Sequence, residues 1–178
     1  MDKRIILYIA MSLDGYIADS DGGLDFLSVV EKEGEDYGYE KFVESVDTII
    51  MGRKTYDKVL SFGIDFPHAH KRCYILTRTQ RPDEGNITFY NQGNLKMLIQ
   101  HLKSQQGKDV FVDGGADVVN ELLKDGLIDE LIISVVPVLL GGGVSLFKME
   151  YPVQKLTLSS AKSFDTGLVQ LHYITDRQ

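Results

Sequence analysis

At 178 residues, with 43% apolar and 25% charged side chains, the chain has the composition of a soluble globular domain, expected to span residues 1–178 and to bury its own core. Its 19 basic and 26 acidic residues leave a net charge of −7, which argues against a nucleic-acid partner and obliges any phosphate site to gather positive charge locally. The single cysteine, Cys73, excludes an intrachain disulfide and a multi-cysteine zinc site, and no apolar run is long enough to span a bilayer, so a cytoplasmic protein with no metal and no membrane partner is expected.

Ile5 to Met11 is apolar nearly throughout, the pattern of a strand covered on both faces. A polar stretch from Ser12 to Gly23 follows, with Asp14-Gly15 and Asp21-Gly22-Gly23 as turn signals. A helix is predicted over Asp36 to Val46, a strand over Thr48 to Met51 and a short helix over Thr55 to Leu60. His68 and His70 have no third ligand nearby and read as part of a solvated loop. Arg72 to Leu76 is the next strand, and Cys73 within it reads as a small buried hydrophobe. Asn86-Ile87-Thr88 matches a glycosylation sequon, which has no meaning in a cytosolic chain.

Leu95, Leu98, Ile99 and Leu102 have helical spacing, with Asn94 as N-cap and Gly107 beyond the end. Val110 to Val112 is a strand, and Val118, Val119, Leu122 and Leu123 form the stripe of a helix that Gly126 ends. Leu131 to Leu140 is strongly apolar but broken by Pro137, which predicts an edge or a bend. Leu156, Leu158 and then Val169, Leu171 and Tyr173 alternate with polar residues around an Asp165-Thr166-Gly167 hairpin turn. The fold class predicted is therefore α/β: three layers, a mostly parallel central sheet and a C-terminal antiparallel hairpin.

Two glycine turns stand out, because each follows an apolar strand and precedes a helix. One is Gly52-Arg53-Lys54-Thr55, the other Gly114-Gly115-Ala116. Such a turn lets a ligand approach bare backbone, and the helix behind it offers unpaired N–H groups to an anion. Two of them, one carrying Arg53 and Lys54, point to a ligand with more than one phosphate. Neither standard nucleotide fingerprint is present: Asp47 occupies the upstream glycine position of a phosphate-binding loop, and Gly141-Gly142-Gly143 opens no helical stripe.

Four motifs in order carry a family resemblance. Ile9-Ala10-Met11-Ser12-Leu13-Asp14-Gly15, Met51-Gly52-Arg53-Lys54-Thr55-Tyr56, Asp113-Gly114-Gly115-Ala116 and Pro137 to Gly143 resemble the dihydrofolate reductase superfamily. They look most like its branch typified by the reductase domain of bacterial riboflavin-biosynthesis deaminase-reductases. The resemblance runs from Ile5 to about Tyr173 and implies a dihydrofolate reductase-like fold and bound NADPH.

By that resemblance Gly52, Arg53 and Thr55 would hold phosphates, with Ala10 also against the cofactor, and Thr77, Arg78 and Thr79 would receive the 2′-phosphate. Guanidinium suits the task because its fork donates two parallel hydrogen bonds. Gly114 and Gly115 fall where the family often has a cis peptide and the pyrophosphate meets backbone N–H groups. The family's spacing back from Gly52 lands on Asp36 as the carboxylate that binds the substrate ring and aids protonation. Asp14, also a catalytic candidate, marks the loop closing over the nicotinamide, with Ser12 beside it as a polar contact and Gly142 and Gly143 at the substrate mouth. The family's frequent third glycine is Ala116 here, and Asp117 would repel a phosphate if it faced the site.

These residues lead to an NADPH-dependent reductase of the riboflavin-pathway branch, acting on a pyrimidine- or pteridine-type small molecule. A dihydrofolate reductase proper and a catalytically silent nucleotide-binding module are the alternatives. The absence of tryptophan speaks against the first of these, since such enzymes normally place one over the nicotinamide. A homodimer is expected by resemblance, through the apolar Leu131 to Leu140 region.

Overall fold

A computed structural model describes residues 3–91, 93–148 and 150–176. In chain order the elements are β1 (Ile5–Ser12), β2 (Tyr16–Ala18), a 3-10 turn (Asp25–Val30), α1 (Tyr39–Glu44), β3 (Val46–Gly52), α2 (Arg53–Leu60), β4 (Arg72–Leu76) and β5 (Ile87–Tyr90). They continue as α3 (Leu95–Ser104), β6 (Asp109–Gly114), α4 (Ala116–Lys124), β7 (Glu130–Val136), β8 (Val144–Ser145), β9 (Leu156–Ser163) and β10 (Val169–Thr175). Eight strands form one sheet in the order β5-β4-β3-β6-β1-β7-β10-β9, while β2 and β8 make a small antiparallel pair beside it. The strands from β5 to β7 run parallel; β10 is antiparallel to β7, and β9 to β10. This is the predicted parallel sheet with its C-terminal hairpin.

Both faces of the sheet are apolar because successive side chains of a strand point to opposite sides. On β1, Ile5 and Leu7 enter one core with Leu98, Ile99 and Leu102 of α3 and Val119 and Leu122 of α4. Ile6 enters the other, with Phe42 of α1, Tyr56 of α2 and Phe111 of β6. The α3 stripe stands where its spacing predicts, and the Asn94 side chain caps it by accepting from the Lys96 amide at 2.8 Å. Gly126, at φ +60°, follows the end of α4.

Four expectations are corrected. The helix predicted over Asp36 to Val46 contracts to Tyr39–Glu44, because Tyr37 and Gly38 take left-handed conformations at φ +58° and +84° that no helix continues through. Ile87–Tyr90 is a strand that the sequon had concealed: Ile87 and Phe89 bury while Thr88 and Tyr90 remain partly exposed, a four-residue alternation too short to declare itself. His68 is buried, not solvated, and packs edge-on against Phe66 and Phe111. Finally, Glu130–Val136 pairs with β1 on one side and β10 on the other, so this part of Leu131 to Leu140 is interior to the sheet and not an edge, and the strand ends just before Pro137.

The parallel strands β1, β3, β4, β5, β6 and β7 all end on one side of the sheet, at Ser12, Gly52, Leu76, Tyr90, Gly114 and Val136. Open α/β sheets bind ligands at that carboxyl edge, where strand ends and helix N-termini converge.

Candidate active site

Strand β3 turns into α2 at Gly52, and β6 turns into α4 at Gly114-Gly115; the two strands are hydrogen-bonded neighbours, so the two turns lie side by side. The Gly114–Gly115 peptide is cis. A Cβ on Gly52 would sit 3.3 Å from Val118 Cγ2 and 3.7 Å from the Gly115 nitrogen, and one on Gly115 would sit 3.1 Å from Thr55 Oγ1. The sequence-predicted Gly52, Thr55, Gly114 and Gly115 are thus brought into contact. Two helices of eight and nine residues open here, and the first N–H groups of each have no partner within the helix. A bare cradle with two positive helix ends fits a diphosphate.

The charges around it are partly compensated. Arg53 Nη1 donates to Asp57 Oδ2 at 2.6 Å, one turn along α2, and Arg81 donates to the other oxygen at 3.0 Å. Although burial opposes it, hydrogen bonds from Arg81 and Arg53 hold Asp57 below the usual carboxylate range. Arg78 sits exposed at the tip of a turn closed by the Thr77 hydroxyl, which donates to the Thr79 carbonyl and accepts from the Thr79 amide. Asp117 pairs with Lys148, and Lys54 and Arg78 lower its pKa further. The carboxylate that departs from the family pattern therefore faces cations, and Arg81 and Lys148 join the site unannounced by any motif.

Beside this edge lies a cavity of about 550 Å³ under the 3-10 turn and the 31–37 loop. Ala10 and Asp36, both predicted from sequence, line it together with Tyr8, Tyr37, Tyr39, Ser134 and Val136. Asp36 caps the start of α1: its oxygens accept from the Glu40 and Gly38 amides, each at 2.8 Å, which keeps it ionised below the ordinary range. Behind the cavity, Gln170 Nε2 donates to Tyr8 Oη at 3.0 Å and to Ser134 Oγ at 3.2 Å, and burial raises the pKa of Tyr8.

Asp113 stands on β6 immediately before the Gly114-Gly115 turn, outside the cavity lining, and was not among the predicted site residues. Ile50 pairs with Val112 and Met51 with Gly114, so Asp113 is the extra residue of a bulge. Half-buried on the strand, it has no hydrogen-bond or ion-pair partner among the described residues, and desolvation pushes its carboxyl up to about 7. Burial, and after it the charge of Asp113, raises the pKa of Tyr39 on the cavity wall, and the same two causes push the Cys73 thiol up to about 12. The Tyr39 hydroxyl meets His68 Nε2 at 3.2 Å, and burial lowers His68 to about 4, so that ring is neutral. The available signal was an acid closing the apolar run Val110-Phe111-Val112.

Ser12, Asp14, Gly142 and Gly143 assemble elsewhere on the same edge. The Ser12 side chain is fully buried, donating to Asp14 Oδ1 at 2.6 Å and accepting from the Tyr16 amide at 2.9 Å. Asp14 accepts from the amides of Leu140 and Gly141, so it braces one loop against the other, and its bond from Ser12 is the chief cause of its lowered pKa. A Cβ on Gly143 would strike the Ala18 carbonyl oxygen at 2.2 Å, whereas Gly142 faces open space.

Comparison with known proteins agrees with this architecture. The family model of the RibD C-terminal domain matches residues 3–170. The Bacillus subtilis protein YwjB is 42% identical over 177 residues, covering 98% of this chain and 99% of its own. A crystal structure from Shewanella sp. PV-4, of a protein assigned to riboflavin biosynthesis, is 35% identical with a TM-score of 0.90 and covers 99% of this chain and 100% of that one. The Thermotoga maritima diaminohydroxyphosphoribosylaminopyrimidine deaminase/5-amino-6-(5-phosphoribosylamino)uracil reductase shares the fold at a TM-score of 0.74 with 16% identity. The alignment takes in 98% of this chain but 57% of that larger one. The architecture is dihydrofolate reductase-like.

Proposed function

The chain belongs to the RibD C-terminal domain family, and on that premise we propose that it is an NADPH-dependent reductase of the riboflavin-pathway type, acting on a pyrimidine- or pteridine-like small molecule. The observation that carries this reading is the contact between the Gly52 and Gly114-Gly115 turns, with two helix N-termini opening beside a cavity of about 550 Å³. Bound there, the cofactor would supply a hydride.

The protein's share of the work is to hold, align and protonate. The amides at the heads of α2 and α4, with the Thr55 hydroxyl, would hold the diphosphate. Arg78, on the Thr77–Thr79 turn, would take the 2′-phosphate, with Lys54 and Lys148 adding charge. Ala10 leaves room at the cavity wall for the two reacting rings to meet. Asp113, whose carboxyl desolvation pushes up to about 7, would hold a proton for the reduced substrate from its place before the Gly114-Gly115 turn, and Asp36 on the cavity wall would accept N–H groups of the substrate ring.

A fluorescence titration with NADPH and NADH tests the reading. The expected result is NADPH binding at least about tenfold tighter than NADH, with the difference lost in Arg78→Ala, since a charge-assisted contact contributes about 1.5–3 kcal/mol. Binding of neither dinucleotide by folded protein would overturn it.

A further inference from the structure

The cavity carries a charge pattern that hydride transfer alone does not require. Its inner wall is aromatic and aliphatic, with Tyr8, Tyr37 and Tyr39 beside Leu27, Val136 and Leu168. Its mouth is lined by Glu31, Lys32, Glu33, Glu35 and Asp36: four carboxylates against one ammonium. That ammonium is already engaged, since Lys32 pairs with Asp165. Asp36 stays charged through the Glu40 and Gly38 amides, and Glu35 accepts from the Tyr37 amide at 2.8 Å. Glu31 and Glu33 make no ion pair among the described residues. Arg53 and Lys54 follow Gly52 and Arg78 stands on the Thr77–Thr79 turn, and none of the three lines this cavity.

We propose that the cavity takes a planar, amino-bearing heterocycle without a phosphate group, and that its acidic mouth rejects the phosphorylated form. The inference rests on the cavity's being the substrate site of a reductase. Flat aromatic walls suit a ring, and carboxylates accept the N–H bonds of ring amino groups. A phosphate dianion in the same mouth meets like charges, and such juxtaposition opposes binding. Sites built for phosphate offer arginine forks or the N-terminus of a sustained helix. Here the wall offers a 3-10 turn and a six-residue helix whose first amides Asp36 already occupies. The substrate thus departs from the phosphoribosyl compound in the Thermotoga enzyme's name.

Matched nucleosides and their monophosphates, carrying cytosine, guanine or adenine, test this on the NADPH-saturated protein. The readout is the NMR signals of Tyr8, Tyr37 and Tyr39, at low salt and at about 200 mM salt, where the Debye length is under about 10 Å. At least one nucleoside is expected to bind about tenfold tighter than its monophosphate at low salt. The gap should narrow with added salt and fall to about twofold in the Glu31→Gln/Glu33→Gln variant, whose exposed positions leave the fold intact. A monophosphate that binds as tightly as its nucleoside, or a full set of nucleosides that leaves these signals unmoved, overturns the proposal. The Gly114 and Gly115 amides report NADPH separately: if they do not respond, the reductase reading fails and this inference falls with it.

Discussion

A carboxylate on the extra residue of a bulge has no ladder partner to fix its surroundings, and at Asp113 nothing but burial sets the protonation state. In the folded chain it keeps its proton up to about pH 7, whereas in the unfolded chain it loses it near about pH 4. Between those values the folded state binds more protons, so this residue's contribution to stability falls as pH rises through the window. Asp113→Asn should therefore flatten the pH dependence of stability and leave the variant more stable than the parent above pH 7, as urea unfolding at acid and alkaline pH would reveal. On the proposed role of Asp113 as proton donor, the same substitution should lower turnover by about a hundredfold and remove the pH–rate limb near neutrality. Persistence of that limb would assign it to another group. The family resemblance did lead to Asp36, which lines the cavity, and, with the two glycine turns, to the Gly52, Thr55, Gly114 and Gly115 contact. Asp113 escaped because one acid after Val110-Phe111-Val112 looks like the end of a strand, and register, which makes it a bulge, is not written in one strand alone.

The elements that announced themselves are those whose period is long enough to count: β1, with both faces apolar, and α3 and α4, with unbroken stripes. The loop that frames the site did not, because it is held by backbone and by single polar groups. β2 and β8 pair only from Tyr16 to Ala18 and from Val144 to Ser145, and Asp14 pins the far side of the loop through the Leu140 and Gly141 amides. Gly143 makes this latch possible: at φ +133° its missing Cβ leaves room for the Ala18 carbonyl, which a side chain would strike at 2.2 Å. Gly143→Ala should cost about 2 kcal/mol, from left-handed strain and displacement of β2. Hydrogen exchange gives the sharper test. Amides from Tyr16 to Ala18 and from Leu140 to Ser145 should lose protection while those of β1, β3 and β6 keep theirs. Uniform loss across the large sheet would mean that the small sheet is part of the global folding unit.

At the scale of the whole molecule the sheet is closed on neither side, and its two ends are unlike. β5 is four residues long, whereas β9 has eight, with most of its side chains exposed. Leu158 is 53% accessible and Leu156 41%, two positions apart on one face of the strand, where they pair with Tyr173 and Thr175 of β10. A long edge with apolar side chains is a template for another strand or for a second sheet face, and soluble proteins cover such edges or charge them. Lys162 is the single charged residue of β9. We predict that the homodimer expected by resemblance docks through β9, since both sides of β7 are already paired. A closed two-fold dimer would present this face to its own copy and leave the carboxyl edge of the parallel strands open to ligand. Light scattering should give twice the chain mass at micromolar concentration, and Leu158→Lys should return it to a monomer with the far-ultraviolet spectrum unchanged. If the parent chain is itself monomeric, or Leu158→Lys remains dimeric, the second copy does not dock here, and the apolar residues of β9 serve some other contact.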